Sequence, residues 1–155
     1  MQFLLIPILL ASALFARADI GNLLDATDQL KRCDPHNGLK CYSVRGTTVQ
    51  GFVNETIEDD GFLANGQEVL IVPLVSGGSG GVFNTLLYTR SGHDPYRFVG
   101  YVPSKDGHLD VYLDEGRLIV VTPVYKDSDA QCCPSSRSVK AYTLDGIKLK
   151  LLESW

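Results

Sequence analysis

Residues 108–125 read HLDVYLDEGRLIVVTPVY, and they show most clearly which secondary structure the chain forms. Its first part, His108–Asp114, alternates apolar and polar residues, as a half-buried β-strand does. Glu115-Gly116 then supplies a turn, and the apolar run Leu118–Val121 is typical of a central strand. The pattern predicts two antiparallel strands joined by a tight turn.

The same pattern of strands and turns continues through most of the chain after Cys41. Asp145-Gly146 is a two-residue hairpin signal, because a type I′ turn requires positive φ at both central positions. Pro73 and Pro123 lie inside apolar runs, so each predicts an edge position, a bulge or a strand end. The predicted strands are Thr47–Val53, Glu68–Val75, Val82–Arg90, Tyr96–Val102, His108–Asp114, Arg117–Tyr125, Ser138–Leu144 and Ile147–Leu152.

The fold class that these segments predict is mainly β, with one helix in front of the strands. Apolar residues recur at helical spacing between Asp19 and Arg32, which predicts a short amphipathic helix over residues 19–32. The strands predict an antiparallel meander that forms a sheet, a sandwich or an open barrel of about seven to nine strands. A chain of 155 residues is too short for two ordinary domains. We therefore expect a single β-rich domain over 19–155, with a disulfide loop over 33–41 and strands over 42–155.

The start of the chain predicts export. Residues 2–15 are almost entirely apolar, and Ala16-Arg17-Ala18 has the small-x-small form that signal peptidase accepts. We interpret Met1–Ala18 as a signal peptide that is cleaved before Asp19. The alternative is a short membrane anchor, but the apolar run of residues 2–15 is shorter than the roughly 20 residues of a membrane-spanning helix, so we prefer cleavage. No membrane span is then expected in the mature chain. The predicted location is secreted or periplasmic.

Composition excludes two classes of protein. With 14 basic and 18 acidic residues, the chain has a net charge of −4, which leaves no electrostatic footprint for nucleic acid. With 45% hydrophobic residues, it is too apolar to be a disordered tail.

Cys33, Cys41, Cys132 and Cys133 form an even set, and an oxidising compartment favours disulfides between them. Local pairing joins Cys33 to Cys41 around a short loop and leaves Cys132 and Cys133 for each other. The alternative links each member of the adjacent pair to Cys33 and Cys41, which closes much longer loops. We prefer local pairing, and the alternative remains open on the sequence alone.

Two passages together resemble a known group of proteins. One runs over Glu68–Phe83 and includes a Gly-rich turn, and the other is Asp127–Ser135, which contains Cys132-Cys133-Pro134-Ser135. They are similar to passages in small exported bacterial proteins of unassigned function, many of them lipoproteins, with an Asp-x-x-Cys-Cys-Pro-Ser loop. The resemblance covers about Asp60–Leu152. It implies a periplasmic or cell-surface location, supports pairing of Cys132 with Cys133, and implies no known reaction.

The Gly-rich turn and the cysteine loop hold the candidate site residues. Gly77-Gly78-Ser79-Gly80-Gly81 matches Gly-x-Ser-x-Gly, so Ser79 is the catalytic candidate. A nucleophile elbow needs a strand-to-helix turn in a large α/β sheet, whereas this turn leads into another predicted strand. We interpret the turn itself as a flexible strand connection, whose glycines supply positive φ, with an anion-binding nest of backbone N–H groups as the alternative. The candidate binding residues are Gly77, Gly78, Ser79, Gly80 and Gly81 of this turn and Asp129 of the cysteine loop.

No cofactor and no metal site are predicted. His36, His93 and His108 lie at spacings that do not suit a shared zinc ion. The acidic turns near Asp60 and Asp129 do not match an EF-hand loop.

These observations favour a non-catalytic exported domain that binds a protein or cell-envelope ligand through its loops. Two alternatives remain. One is a small serine hydrolase that uses Ser79, and the other is a redox-sensitive or structural envelope component that uses the Cys132–Cys133 pair.

Overall fold

The computed structural model describes residues 20–33, 40–47, 50–53, 59–75, 81–104, 109–130 and 132–155. This part of the chain is mainly β, with one short helix before the strands, as predicted. Three short strands, Leu30–Arg32, Cys41–Val44 and Asp59–Phe62, add to the eight that the sequence predicts. The elements are α1 (Ile20–Asp25), β1 (Leu30–Arg32), β2 (Cys41–Val44), β3 (Gln50–Val53), β4 (Asp59–Phe62), β5 (Glu68–Val75), β6 (Val82–Arg90), β7 (Arg97–Pro103), β8 (Asp110–Asp114), β9 (Arg117–Val124), β10 (Ser136–Asp145) and β11 (Lys148–Ser154).

The strands form two antiparallel sheets. The first sheet has the order β1-β2-β3-β5-β6-β7, and β4 also pairs with β5. The second sheet has the order β11-β10-β9-β8. Within the described residues neither sheet closes into a barrel. Strand β5 is buried on both faces over Glu68–Leu74, which explains why its sequence is continuously apolar rather than alternating.

Pro73 and Pro123, the two prolines inside apolar runs, lie where one neighbouring strand is missing. Strand β4 pairs with β5 up to Ile71 and β3 pairs with it from Leu74, so Pro73 lies in the gap between them. Strand β8 pairs with β9 up to Val121, so Pro123 lies beyond its end. No backbone N–H is needed at either place, which confirms the predicted edge positions.

The two tight hairpins use different turns. Glu115 and Gly116 both have positive φ, at 46° and 73°, as a type I′ turn requires. The hairpin predicted at Asp145-Gly146 is present, but its loop residues are Gly146 and Ile147, because Asp145 pairs with Lys148. Gly146 has a φ of 62° and occupies the first central position, which is the type II′ pattern rather than the predicted type I′.

The helix is shorter than the prediction over residues 19–32. It ends at Asp25, and Leu30–Arg32 form β1, which pairs with β2. The backbone N–H of Cys33 donates to the Cys41 carbonyl oxygen, and a disulfide joins the two residues. Strand pairing therefore prevails over helical spacing here, and Leu30 is buried in the core all the same.

Both disulfides are local. Cys33 bonds to Cys41 with a Cα–Cα distance of 5.2 Å, and Cys132 bonds to its neighbour Cys133. The preferred pairing is thus confirmed over the long-range alternative. The predicted signal peptide, Met1–Ala18, and residues 34–39 of the predicted disulfide loop lie outside the described residues.

Apolar side chains form three buried clusters. The largest packs α1 against one face of the first sheet and includes Leu24, Tyr42, Leu74 and Tyr88. The second lies between the sheets and is made of Leu63, Val69, Ile71, Leu87, Leu118 and Leu144. The third, Ile119, Val121 and Ala141, lies on the opposite face of the second sheet. The face of the second sheet that contacts the first sheet is its inner face, and the face that carries Ala141 is its outer face.

Polar side chains of the β4–β5 turn fix the second sheet against the first. Asn65 Nδ2 donates to the Leu144 carbonyl oxygen at 2.8 Å. Gln67 Nε2 donates to the Gly146 carbonyl oxygen at 3.0 Å. These bonds hold the β10–β11 turn beside the start of β5, which defines the surroundings of the candidate site.

Candidate binding surface

The β10–β11 hairpin carries most of the large apolar side chains that are exposed in the described part of the chain. Eight such side chains are exposed, and five of them lie within residues 147–155. We call these five the hairpin surface: Ile147, Leu149, Leu151, Leu152 and Trp155. Singly exposed apolar residues are ordinary, whereas a concentration of them on one strand and its turn is typical of an interaction site.

Strand β11 is also an edge. Its only neighbour in the second sheet is β10, so one side of its backbone has no paired strand among the described residues. Leu151 lies opposite Tyr142 and Leu149 lies opposite Leu144, so both leucines continue the apolar inner face. They are nevertheless 51% and 37% exposed, because the first sheet does not reach over β11. An edge of this length and apolarity can accept another strand.

A groove of about 100 Å³ lies beside the hairpin surface. It separates the β6–β7 turn from the β10–β11 turn, with Arg97 and Asp94 on one side and Ile147 on the other. Its lining residues are Gln67, Thr89, Arg90, Ser91, Asp94, Pro95, Arg97, Gly146 and Ile147. Pockets that hold a cofactor or a drug-sized ligand are about 300–1,000 Å³, so this groove has room for a side chain at most.

A polar cluster supports the rim of the groove. Glu68 and Arg90 face each other across β5 and β6, and Arg90 Nε and Nη2 donate to the two carboxylate oxygens at 2.7 and 2.8 Å. The Tyr96 hydroxyl donates to Glu68 Oε1 at 2.5 Å. The Arg90 guanidinium lies 4.5 Å from the centre of the Tyr96 ring, which adds a cation–π contact. This geometry anchors the β6–β7 turn.

The cluster is unsuited to proton transfer near neutral pH. The Arg90 hydrogen bonds hold the pKa of Glu68 below its ordinary value, despite burial, so Glu68 is a weak base. Burial and the hydrogen bond to Glu68 raise the pKa of Tyr96, so its hydroxyl keeps its proton. The arrangement can position a turn and does not resemble an acid–base pair, which needs pKa values near the working pH.

Asp129 organises the cysteine loop. Its Oδ2 accepts hydrogen bonds from the backbone N–H groups of Lys126 and Ser135, both at 2.8 Å, and its Oδ1 accepts one from the Ser135 hydroxyl. These bonds lower the pKa of the exposed Asp129 carboxyl. They fold the loop around the Cys132–Cys133 disulfide. The predicted role of Asp129 in binding a ligand stays a prediction.

The other predicted site residues fall mainly outside the described part of the chain. Gly77, Gly78, Ser79 and Gly80 lie there, so the serine hydrolase hypothesis stays a prediction. Gly81 is described and has a φ of 73°, a value that favours glycine. The structure therefore does not bring the predicted residues together into one described site.

Histidines and metal ligands add no further site to the described residues. His93 lies exposed in the turn after β6, while His36 and His108 are outside the described ranges. No group of three or more His, Cys, Asp or Glu residues suited to a metal ion is found within those ranges. In the same residues, no helix has the length and apolarity to span a membrane.

The hairpin surface was missed by sequence reasoning, although one signal was present. Residues 147–152 read IKLKLL, which correctly predicts a strand with leucines on one face. Whether that face is covered depends on the extent of the first sheet, which local patterns do not encode. The Glu68–Arg90 pair was also missed, because it depends on the register between β5 and β6.

Comparison of the chain with family models, with curated proteins and with solved structures finds no match. The resemblance to exported bacterial proteins therefore stays a prediction.

Proposed function

We propose that this protein is a non-catalytic exported domain that binds a protein partner through the hairpin surface. The observation that carries the proposal is the concentration of exposed apolar side chains on the edge strand β11. Strand addition to such an edge is a common mode of protein recognition, in which backbone hydrogen bonds give affinity and alternate side chains give specificity.

The neighbouring groove supports a macromolecular partner over a small ligand. A volume of about 100 Å³ accommodates one side chain of a docked partner. Arg97 and Asp94 on its lining can contact a polar group of that side chain. We propose that the groove is a secondary contact beside the apolar hairpin surface, in the way that polar rims surround apolar interface centres.

Export is part of the same proposal. Two disulfides in one small domain support an oxidising compartment, because cytosolic thiols are kept reduced. Expression of the full chain in a secreting host, followed by sequencing of the exported protein, is expected to give an amino terminus at Asp19. Retention of the uncleaved protein inside the cell would contradict export.

A peptide selection tests the binding function. Random peptides on phage are selected against residues 19–155, and the enriched peptides are then measured on two variants. We expect the variant Leu149→Ser with Leu151→Ser to lose binding, since it removes apolar contacts from the hairpin surface. The matched control is Phe62→Ser, an exposed apolar residue of β4, which is expected to keep binding. Peptides that bind both variants equally, or no enrichment against a protein that is monomeric, would contradict the proposal.

A further inference from the structure

We infer that the partner of strand β11 is a second copy of this chain, which pairs with it antiparallel around a two-fold axis at Leu151. This inference rests on the proposed binding function of the hairpin surface and names its occupant. One irregularity in β11 determines how its charged side chains are distributed over the two faces of the sheet.

That irregularity is a bulge at Leu152. Consecutive residues Ala141 and Tyr142 of β10 lie opposite Glu153 and Leu151 of β11, so Leu152 is an extra residue. Residues directly opposite each other share a face of the sheet. Glu153 therefore lies on the outer face with Ala141, and Leu151 lies on the inner face with Tyr142.

The bulge brings opposite charges onto one face. Lys150 lies opposite Thr143, two residues along β10 from Ala141, so Lys150 and Glu153 are both on the outer face. In a regular strand, two residues three positions apart point to opposite faces. A bulge changes this parity, and the free edge of β11 then carries a lysine and a glutamate on one face, on either side of Leu151.

An edge with this arrangement is complementary to itself. In antiparallel pairing centred on Leu151, Leu151 lies opposite Leu151 of the second copy. Because the bulged Leu152 is skipped, the first residue before Leu151 lies opposite Glu153 of the second copy, and the residues further out pair in the same order. Lys150 then lies opposite Glu153 of the second copy, and Glu153 lies opposite its Lys150. Lys148 lies opposite Trp155 of the second copy, where a cation–π contact is available. Opposite charges across a strand pair stabilise it, whereas like charges oppose it.

The apolar contacts agree with the same register. Leu151 of one copy meets Leu151 of the other on the inner face, where both are half-exposed in the single chain. Trp155 extends the ladder, because its backbone N–H and carbonyl oxygen exchange hydrogen bonds with Val139 at 2.9 and 2.8 Å. Pairing would join two four-stranded sheets into one continuous sheet and cover the β11 edge of each copy, through the same patch on both copies as in an isologous two-fold contact.

Charge reversal at the two positions tests the inference. The proteins are residues 19–155 in wild-type form and with Lys150→Glu or Glu153→Lys, and mass is measured by sedimentation equilibrium. We expect the wild type to dimerise. Each single reversal places like charges opposite each other and is expected to weaken the dimer about tenfold or more. Mixing the two single variants restores both opposite-charge pairs, so the mixture is expected to form a heterodimer.

Controls separate pairing from folding. Glu153 also lies 3.6 Å from Arg117 Nη1 in its own chain, so thermal unfolding of each variant is compared with the wild type. Lys140→Glu, on β10 rather than on the edge, is expected to leave the dimer intact. A dimer that neither reversal weakens, or a mixture that stays monomeric, would overturn the inference.

The outcomes also distinguish the inference from the function on which it rests. A monomeric wild type that binds selected peptides through the hairpin surface would overturn self-pairing and leave the proposed function standing. A monomeric wild type whose hairpin surface binds no peptide would overturn both.

Discussion

Replacing Arg90 by Met removes the partner of a carboxylate that lies almost entirely inside the protein. The side chain of Glu68 is 11% exposed, and Arg90 supplies two of its hydrogen bonds. In Arg90→Met, the Tyr96 hydroxyl is the remaining side-chain donor to the Glu68 carboxylate among the described residues. The buried charge is then largely uncompensated.

The size of the effect follows from this burial. Removing one partner of a buried ion pair costs about 3–5 kcal/mol, and the 22% exposure of the Arg90 side chain favours the lower end. We therefore expect a loss of about 3 kcal/mol at neutral pH. With an urea m-value of about 2 kcal/mol/M, the unfolding midpoint falls by about 1.5 M.

The loss of unfolding free energy in Arg90→Met depends on pH, and the pKa of Glu68 determines the direction of this dependence. Hydrogen bonds from Arg90 lower the pKa of Glu68 in the folded protein, so the pair stabilises fully above the ordinary carboxyl pKa of 4.5. Its contribution is lost as the pH falls through the lowered folded value. The difference between wild type and Arg90→Met is thus large at neutral pH and shrinks below the ordinary pKa.

Urea unfolding of both proteins at pH 7 and at acidic pH measures this difference. The control is the double variant Glu68→Gln with Arg90→Met, which removes the charge together with its partner and is expected to recover part of the stability. A loss that is the same at both pH values, or an Arg90→Met protein as stable as the wild type, would refute the reasoning.

Three further predictions concern local features. Gly116→Ala is expected to lower the free energy of unfolding in urea more than Gly146→Ala does. Both glycines have positive φ, but of the two only Gly116 would place a Cβ 2.8 Å from a backbone nitrogen, that of Ala64. Equal losses would contradict this prediction. Asn84→Leu is expected to leave stability unchanged or raise it by about 1 kcal/mol, because the buried Asn84 Nδ2 has no hydrogen-bond partner within the described residues. A clear loss of stability on thermal unfolding would contradict this. Asp129→Ala is expected to speed the exchange of the Ser135 amide hydrogen in NMR, because the variant lacks the carboxylate that accepts its hydrogen bond. In the wild type, this protection from exchange is expected to be lost only as the pH falls through the lowered pKa of Asp129. Unchanged exchange in the variant would contradict the role of these hydrogen bonds in the loop.

Local patterns were sufficient for much of the fold. Alternation in residues 108–114 and the apolar run at Leu118–Val121 correctly predict β8 and β9. A strand with one buried face alternates apolar and polar residues, whereas a strand buried on both faces is continuously apolar, so both patterns can be recognised in the sequence. Pro73 also marked a real gap in the pairing of β5. Where local and long-range forces disagreed, the prediction was wrong. Leu30 fits a helix by spacing, yet a disulfide and strand pairing at Cys33 place it in β1.

The candidate site was less accessible to sequence reasoning. The hairpin surface exists because the first sheet stops short of β11, and the Glu68–Arg90 pair exists because of one register across β5 and β6. Both are properties of long-range packing. The bulge at Leu152 is a shift of a single residue, and it changes which face carries Glu153 without leaving a Gly or Pro signal in the sequence.

Hydrogen–deuterium exchange of β11, followed by mass spectrometry, is the measurement that best shows whether this edge pairs with a second copy of the chain. Residues 19–155 are measured at two protein concentrations that differ about a hundredfold, since mass action populates the paired state at the higher one. We expect amides within Lys148–Ser154 to exchange more slowly in the concentrated sample, while those of β1, an edge of the other sheet, are unchanged. Exchange of β11 that is independent of concentration, or slowing confined to a different edge, would contradict the account.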